Sequence, residues 1–202
     1  MSAASDRDDA AAGGNPRYTF RPSLMGAPSE FELSPDALHW QIGRYSGRIR
    51  YDRVRSVRMM FRPLTIQSHR FLTEIRSTDS PKIQISSVSW RSMIEQERFD
   101  APYSAFITEF HRRLAAANTT ARFSAGMPVV SYWIGLVVFG SVMIATAVMV
   151  VRALELGQWT SAALVGLFFL VFAVQLGNLF RRNWPSRYRP DALPKAVLPR
   201  GG

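Results

Sequence analysis

Val129 to Val151, "VVSYWIGLVVFGSVMIATAVMVV", runs for its whole length without one charged residue. At about 1.5 Å of helical rise per residue it reaches roughly 34 Å, enough to cross a hydrocarbon core about 30 Å thick. A second uncharged run, Gln158 to Phe180, "QWTSAALVGLFFLVFAVQLGNLF", has similar length. Buried helices of soluble proteins seldom run so far without a charge, so the sequence predicts two membrane-spanning helices, over 129–151 and 159–180. Only "RALELGQ", 152–158, separates them, with one base and one acid, which predicts an antiparallel hairpin whose flanks share one side.

The charges around the hairpin predict its orientation. Arg112, Arg113 and Arg122 precede the first helix, and Arg181, Arg182, Arg187 and Arg189 follow the second. The positive-inside rule puts both termini in the cytoplasm and 152–158 outside, in a plasma (inner) membrane. Tyr132, Trp133 and Trp184 then fall near the inner interface and Trp159 near the outer one. The opening "MSAASDRDDAAAGGNP" lacks a basic region followed by an apolar run, so it does not read as a signal peptide. In the second helix Ala162, Gly166, Ala173 and Gly177 share one face, a small-residue surface that permits close helix approach, most simply within the hairpin. Gln175 and Asn178 are polar but not ionisable, which argues against a proton or ion pathway through this chain alone.

Composition sets outer bounds on the remainder. The chain has 202 residues, 25 basic and 15 acidic, for a net charge of +10, which favours an anionic partner or surface without specifying a fold. Lys82 and Lys195 are the only lysines, so 23 of the 25 bases are arginine; a GC-rich genome accounts for such a bias as well as selection does. Cysteine is absent. Disulfides, thiolate metal sites and cysteine nucleophiles are excluded together, although the compartment is not thereby fixed.

Before the membrane, 1–29 reads as a mobile tail rich in Ala, Ser, Gly, Pro and Asp, and the basic, proline-rich 181–202 reads the same way. From Phe31 alternation begins. Phe31 and Leu33, then Leu38, Trp40 and Ile42, predict two strands around the turn Ser34–Asp36, and "GRYSG", 43–47, the next turn. Ile49 and Tyr51 continue inward, the phase slips near Asp52 and Arg53, where a bend or bulge is expected, and strands follow near 71–76 and 82–88. Asp100 and Pro102 open a helix on which Tyr103, Phe106, Ile107, Phe110 and Leu114 form one apolar face. The fold class expected is therefore a membrane protein of α+β type: a small antiparallel barrel or sandwich over 30–118 closed by a C-terminal helix, a linker over 119–128, and the helical hairpin.

This element order, with the segment "IRYDRVRSV" and its Tyr51, Asp52 and Val54, resembles the bacterial pleckstrin-homology-like domains fused to membrane helices. The resemblance covers roughly 31–118. It implies a barrel acting as an interaction module without a catalytic centre, and it carries over no phosphoinositide-binding residues.

No chemistry-bearing motif emerges. His39, His69 and His111 lie far apart without metal-ligand spacing and read as surface or strand-edge residues. "GRYSG" departs from the serine elbow, Gly-x-Ser-x-Gly, and no phosphate-cradling glycine loop is present. Glu95, Glu97 and Asp100 are flanked by Arg91 and Arg98, as solvated charge would be. Neither a metal nor a cofactor nor an enzymatic activity is expected.

What stands out is the strip Arg44, Arg48, Arg50, Arg53, Arg55, Arg58 and Arg62, seven bases against one acid, Asp52. A half-buried strand with a solvated face explains some of them but not the surplus. With the short "TTARFSAGMP" as tether, the strip is expected to sit on the anionic leaflet, each arginine near the surface contributing about 1 kcal/mol. Membrane lipids, or another membrane or cytoplasmic protein, are the expected partners. An accessory subunit of a larger membrane complex and a membrane-tethered nucleic-acid binder are the alternatives, the last disfavoured because Tyr45, Tyr51 and Phe61 lack the spacing of a known RNA-binding motif.

Overall fold

The computed structural model describes residues 14–23, 25–63, 69–91, 96–117 and 120–199. The first 13 residues of the expected N-terminal tail, Glu95 of the carboxylate group, Asn118 at the end of the expected domain and Thr119 at the head of the expected linker lie outside them, as does the side chain of His69.

The alternating segments form a meander of four antiparallel strands: β1 (Arg17–Phe20), β2 (Ser29–Leu33), β3 (Ala37–Ile42) and β4 (Tyr45–Arg50), in that order across the sheet. Strand β1 is a correction. It lies inside the segment read as a mobile tail, yet Tyr18 and Phe20 are buried and Arg17 pairs with Glu32. The turn after β3 is also tighter than expected. Ile42 pairs directly with Tyr45, leaving Gly43 and Arg44 as the loop, and Gly43 takes a φ of 60° that suits glycine.

The phase slip at Asp52 is real and has two parts. Tyr51–Arg53 make one 3-10 turn, and β5 (Val54–Pro63) begins with a register irregularity between Val54 and Ser56. Here the chain leaves the first sheet. β5 pairs with β6 (His69–Ser77), and β6 with β7 (Ile83–Ser86), in a second sheet that shares no strand pairing with the first. Of the barrel or sandwich expected, a closed barrel is not formed, because β4 and β5 are separated by the turn and do not pair; the sheets stay open and share one core. A further pair, β8 (Val88–Trp90) and β9 (Gln96–Arg98), precedes the helix α1 (Asp100–Ala116). As the periodicity predicts, α1 buries Tyr103, Phe106, Ile107, Phe110 and Leu114 against both sheets, with Thr73 Oγ1 and Tyr103 Oη 2.7 Å apart in the interior.

The two apolar runs are helices α2 (Val129–Glu155) and α3 (Trp159–Arg182), joined by Leu156–Gln158. Their most apolar windows are 0% and 6% buried within the protein, and both helices are long and apolar enough to cross a membrane. Helix α2 runs four residues beyond the expected boundary, as Arg152 and Glu155 pair across one turn at 3.1 Å.

Two segments read as linker and tail are strands. β10 (Arg122–Ala125) runs parallel to β5, and β11 (Ser186–Arg187) pairs antiparallel with β10, so the second sheet has the order β11-β10-β5-β6-β7. The chain after α3 then returns to the head, where Val197 is buried in the shared core beside Leu193 and Leu198. A basic tail with a few apolar residues at Tyr188, Leu193 and Val197 has enough to dock because β10 leaves it an open edge.

Candidate functional site

The junction between the head and the apolar hairpin is built from both strands of the return. β10 leads without a linker into α2: the Gly126 amide donates to Met59 O at 2.8 Å, and the Met127 amide to Asn183 O at 3.0 Å. Asn183, fully buried at the end of α3, accepts the Phe61 amide on Oδ1 at 3.1 Å and donates from Nδ2 to Leu179 O at 3.1 Å. The Arg182 guanidinium lies 4.5 Å from the centre of the Phe61 ring, a cation–π contact. Tyr132 stands edge-on to Trp133, Phe180 and Trp184, with ring centres 5.9, 5.5 and 5.4 Å away. Aromatic groups with polar tips suit an apolar-to-polar boundary.

The return is fixed at a second point. His111, on the buried face of α1, has Nδ1 2.7 Å from Ile107 O and Nε2 2.8 Å from Tyr188 Oη. This corrects the expectation of a surface histidine. The spacing held the signal: His111 follows Ile107 by four residues, on the face that periodicity assigns to the core. Burial pushes its pKa down to about 4, against a smaller opposing pull from the Ile107 carbonyl. His39, by contrast, is exposed on β3, and His111 and His39 belong to no metal-binding group; among the described residues none exists.

The arginine strip does not form one surface. Arg44, Arg48 and Arg50 belong to the first sheet; Arg44 lies 5.9 Å from the ring of exposed Tyr45, and Arg50 is held by Asp52 at 3.1 Å. Arg53 reaches Asp79 at 3.8 Å and Arg55 donates to Thr78 Oγ1 at 3.3 Å. Both lie at the start of β5, the end remote from Asn183. From Arg55 to Phe61 is six residues of strand, roughly 20 Å at about 3.3 Å per residue. Only Arg58 and Arg62 lie on the half of β5 that approaches the hairpin.

On that half, one face of the second sheet carries Arg58, Met60 and Arg62 on β5 opposite Glu74, Leu72 and Arg70 on β6. Arg58 donates to Ser124 Oγ on β10 at 3.3 Å. Glu74 is paired with Arg76 at 2.8 Å and Lys82 at 3.6 Å, and although burial opposes ionisation, those cations hold its carboxyl below the usual range. Arg62 and Arg70 face each other directly, like charge against like charge. Burial, and then Arg62, lowers the Arg70 pKa, and the buried Arg70 Nε has no hydrogen-bond partner. The sequence did not single out Arg70, because the pairing of β5 with β6 is what brings it to Arg62.

Glu97 pairs with Arg91 at 3.1 Å and Asp100 with Arg98, so these carboxylates are bound to arginines and not to each other. On α3, Ala162 is buried, but a methyl group added at Gly166 or Gly177 would meet nothing within 4 Å. Hairpin packing therefore does not use those two glycines; it runs through Gly135, whose added methyl would sit 3.3 Å from the Phe180 ring, and through Phe139, 5.5 Å from Phe180 between ring centres. Compared with known proteins, the chain is matched by no family model, no curated protein and no solved structure.

Proposed function

We propose that α2 and α3 cross a membrane as a hairpin with both chain ends inside, and that the β-rich head is a non-enzymatic interaction module held against the inner leaflet. The observation that carries this reading is the pairing of β10 and β11 at the bases of both helices. A head joined through sheet hydrogen bonds on both sides cannot swing freely from its anchor. Its nearest arginines, Arg62, Arg181 and Arg182, stay at headgroup depth, where each contributes about 1 kcal/mol to contact with an anionic leaflet. The pleckstrin-homology-like reading is supported by the order of a four-strand meander, five further strands and one helix packed on both sheets, with open sheets in place of a barrel. An acidic protein surface is the second partner such a basic face admits.

Because the chain has no cysteine, single introduced thiols report its topology cleanly. Leu156→Cys, in the loop between the helices, is expected to react with a membrane-impermeant maleimide on intact cells, and Asp191→Cys only after permeabilisation. Reaction of Asp191→Cys from outside, or release of the chain from membranes by alkaline carbonate, would refute the reading.

A further inference from the structure

Arg70 poses a problem that the interaction reading does not solve. It is opposed across the strand pair by Arg62, with no acid at the facing position, and its buried Nε–H meets no acceptor. Two guanidinium groups in register repel, and a desolvated donor without an acceptor is costly, so an anion bound at this point would relieve both. Nearby, Lys82 and Arg76 are paired with Glu74, and Arg58 donates to Ser124 Oγ.

Arg70 also lines a cavity of about 290 Å³, where the face of β6 and β7 that carries Leu72 and Gln84 meets Phe20, Ile42 and Trp90. Lys82, paired with Glu74 at 3.6 Å, is the second cation of that lining, and among the described residues no aspartate or glutamate lines it. The remaining walls are chiefly apolar, formed by Phe20, Ile42, Leu72, Val88 and Trp90. A site that joins a guanidinium donor without an acceptor to apolar walls suits an anion that carries an apolar group. A guanidinium offers phosphate paired donors, and Arg62 opposite Arg70 and Lys82 on the lining add positive charge beside it, which favours a phosphate over a singly charged carboxylate.

We infer that this cavity binds an amphiphilic phosphate ester, its phosphate on Arg70 with Arg62 and Lys82 beside it and its apolar group among Phe20, Ile42, Leu72 and Trp90. The inference deepens the leaflet reading where the ester is a membrane lipid, but the site itself does not require it: a soluble ester has the same chemistry. The volume accommodates a short chain or one end of a longer one, not a whole diacyl lipid.

The test uses the full chain in non-ionic detergent, where binding does not depend on membrane topology. By titration calorimetry, hexyl phosphate is expected to bind at least tenfold more tightly than inorganic phosphate. Arg70→Gln should weaken both at least tenfold, and Ile42→Trp, by filling the apolar part, should abolish the preference for the hexyl group while inorganic phosphate still binds. Lys82→Gln, at a half-exposed side chain, repeats the test with the strand pairing untouched if Arg70→Gln does not fold. In nanodiscs, displacement of hexyl phosphate by phosphatidate identifies a lipid as the source, and retention identifies a soluble ester. Equal binding by the wild type and both charge variants, or equal affinity for hexyl and inorganic phosphate, overturns the proposal.

Discussion

His111 Nε2 and Tyr188 Oη lie 2.8 Å apart, joining the helix that closes the head to the chain that returns from the apolar hairpin. Because Nδ1 faces the Ile107 carbonyl and must donate to it, the neutral ring presents Nε2 as an acceptor, and the Tyr188 hydroxyl is the donor. Tyr188→Phe leaves that buried nitrogen unpaired. The expected cost is about 1–3 kcal/mol, read as a lower melting temperature and as faster tryptic cleavage after Arg187 and Lys195.

The same contact sets a pH dependence. The folded pKa of His111 is about 4 against an ordinary value of 6.5, so between those values the unfolded chain takes up a proton that the folded one refuses. Stability therefore falls as pH drops from 6.5 towards 4, by up to about 3 kcal/mol at 1.36 kcal/mol per pH unit, and this loss is complete below. Glu109 acts later. Hydrogen bonds from Arg112 and then Arg113, against the opposing effect of burial, hold its carboxyl near 2, so its contribution is present above about 4.5 and is lost only below it. Melting followed across this range should show the His111 step first, and His111→Gln should remove that step alone.

Gly126 is expected to be the least replaceable glycine of the junction. Its φ is +80°, and a methyl group there would stand 2.4 Å from Trp184 O and 2.5 Å from Asn183 O, backbone atoms that have no rotamer to escape into. The left-handed conformation costs an alanine about 1–2 kcal/mol and overpacking about as much again. Gly126→Ala should therefore destabilise the folded chain by at least about 2 kcal/mol, while Gly140→Ala, with nothing within 4 Å, should leave the melting temperature unchanged.

Asn183 couples the end of α3 to β5 through one amide. Asn183→Leu keeps the number and branching of side-chain heavy atoms but removes the acceptor facing Phe61 N and the donor to Leu179 O. A loss of about 1–3 kcal/mol is expected. Hydrogen exchange localises it: the Phe61 amide should exchange at least tenfold faster, with amides of β3 little affected.

Much of this architecture was legible in the sequence wherever burial has a local period. The alternation of Leu38, Trp40 and Ile42, and the helical spacing from Tyr103 to Leu114, report a buried face from neighbouring residues alone, and the uncharged runs report α2 and α3 by length. Strand β1 escaped because Tyr18 and Phe20 are only two apolar positions in a segment dominated by small and polar residues. Strands β10 and β11 escaped for a different reason. Their partner, β5, lies 66 positions upstream of β10, as Arg58 to Ser124 shows, and nothing within four residues or two encodes a pairing of that range. The barrel expectation failed at one place, the turn Tyr51–Arg53, where the phase slip was visible in the pattern but its consequence, a change of sheet, was not. The candidate site followed suit: of the seven strip arginines only Arg58 and Arg62 approach the hairpin, and the residue that gives the site its chemistry, Arg70, lies outside the strip.

That division of the strip leads to a quantitative expectation for lipid contact. Arg55 stands roughly 20 Å along β5 from Phe61, and Phe61 is the point where the strand meets Arg182 and Asn183. Two Debye lengths at about 0.1 M salt cover the same distance, so charges at Arg50, Arg53 and Arg55 are screened from a surface at headgroup depth, and each already has an Asp or Thr partner. Replacing all three by glutamine should leave the preference for anionic lipid unchanged. Arg62→Gln with Arg181→Gln removes two charges at the junction, worth about 2 kcal/mol together, or roughly thirtyfold. Energy transfer from the protein's tryptophans to a dansyl-labelled anionic lipid in mixed nanodiscs measures that preference without altering any tryptophan. High salt should abolish the wild-type preference and make both variants alike. If the triple variant loses as much as the double, the far end of β5 reaches the leaflet, and the head lies on its side instead of standing on its junction.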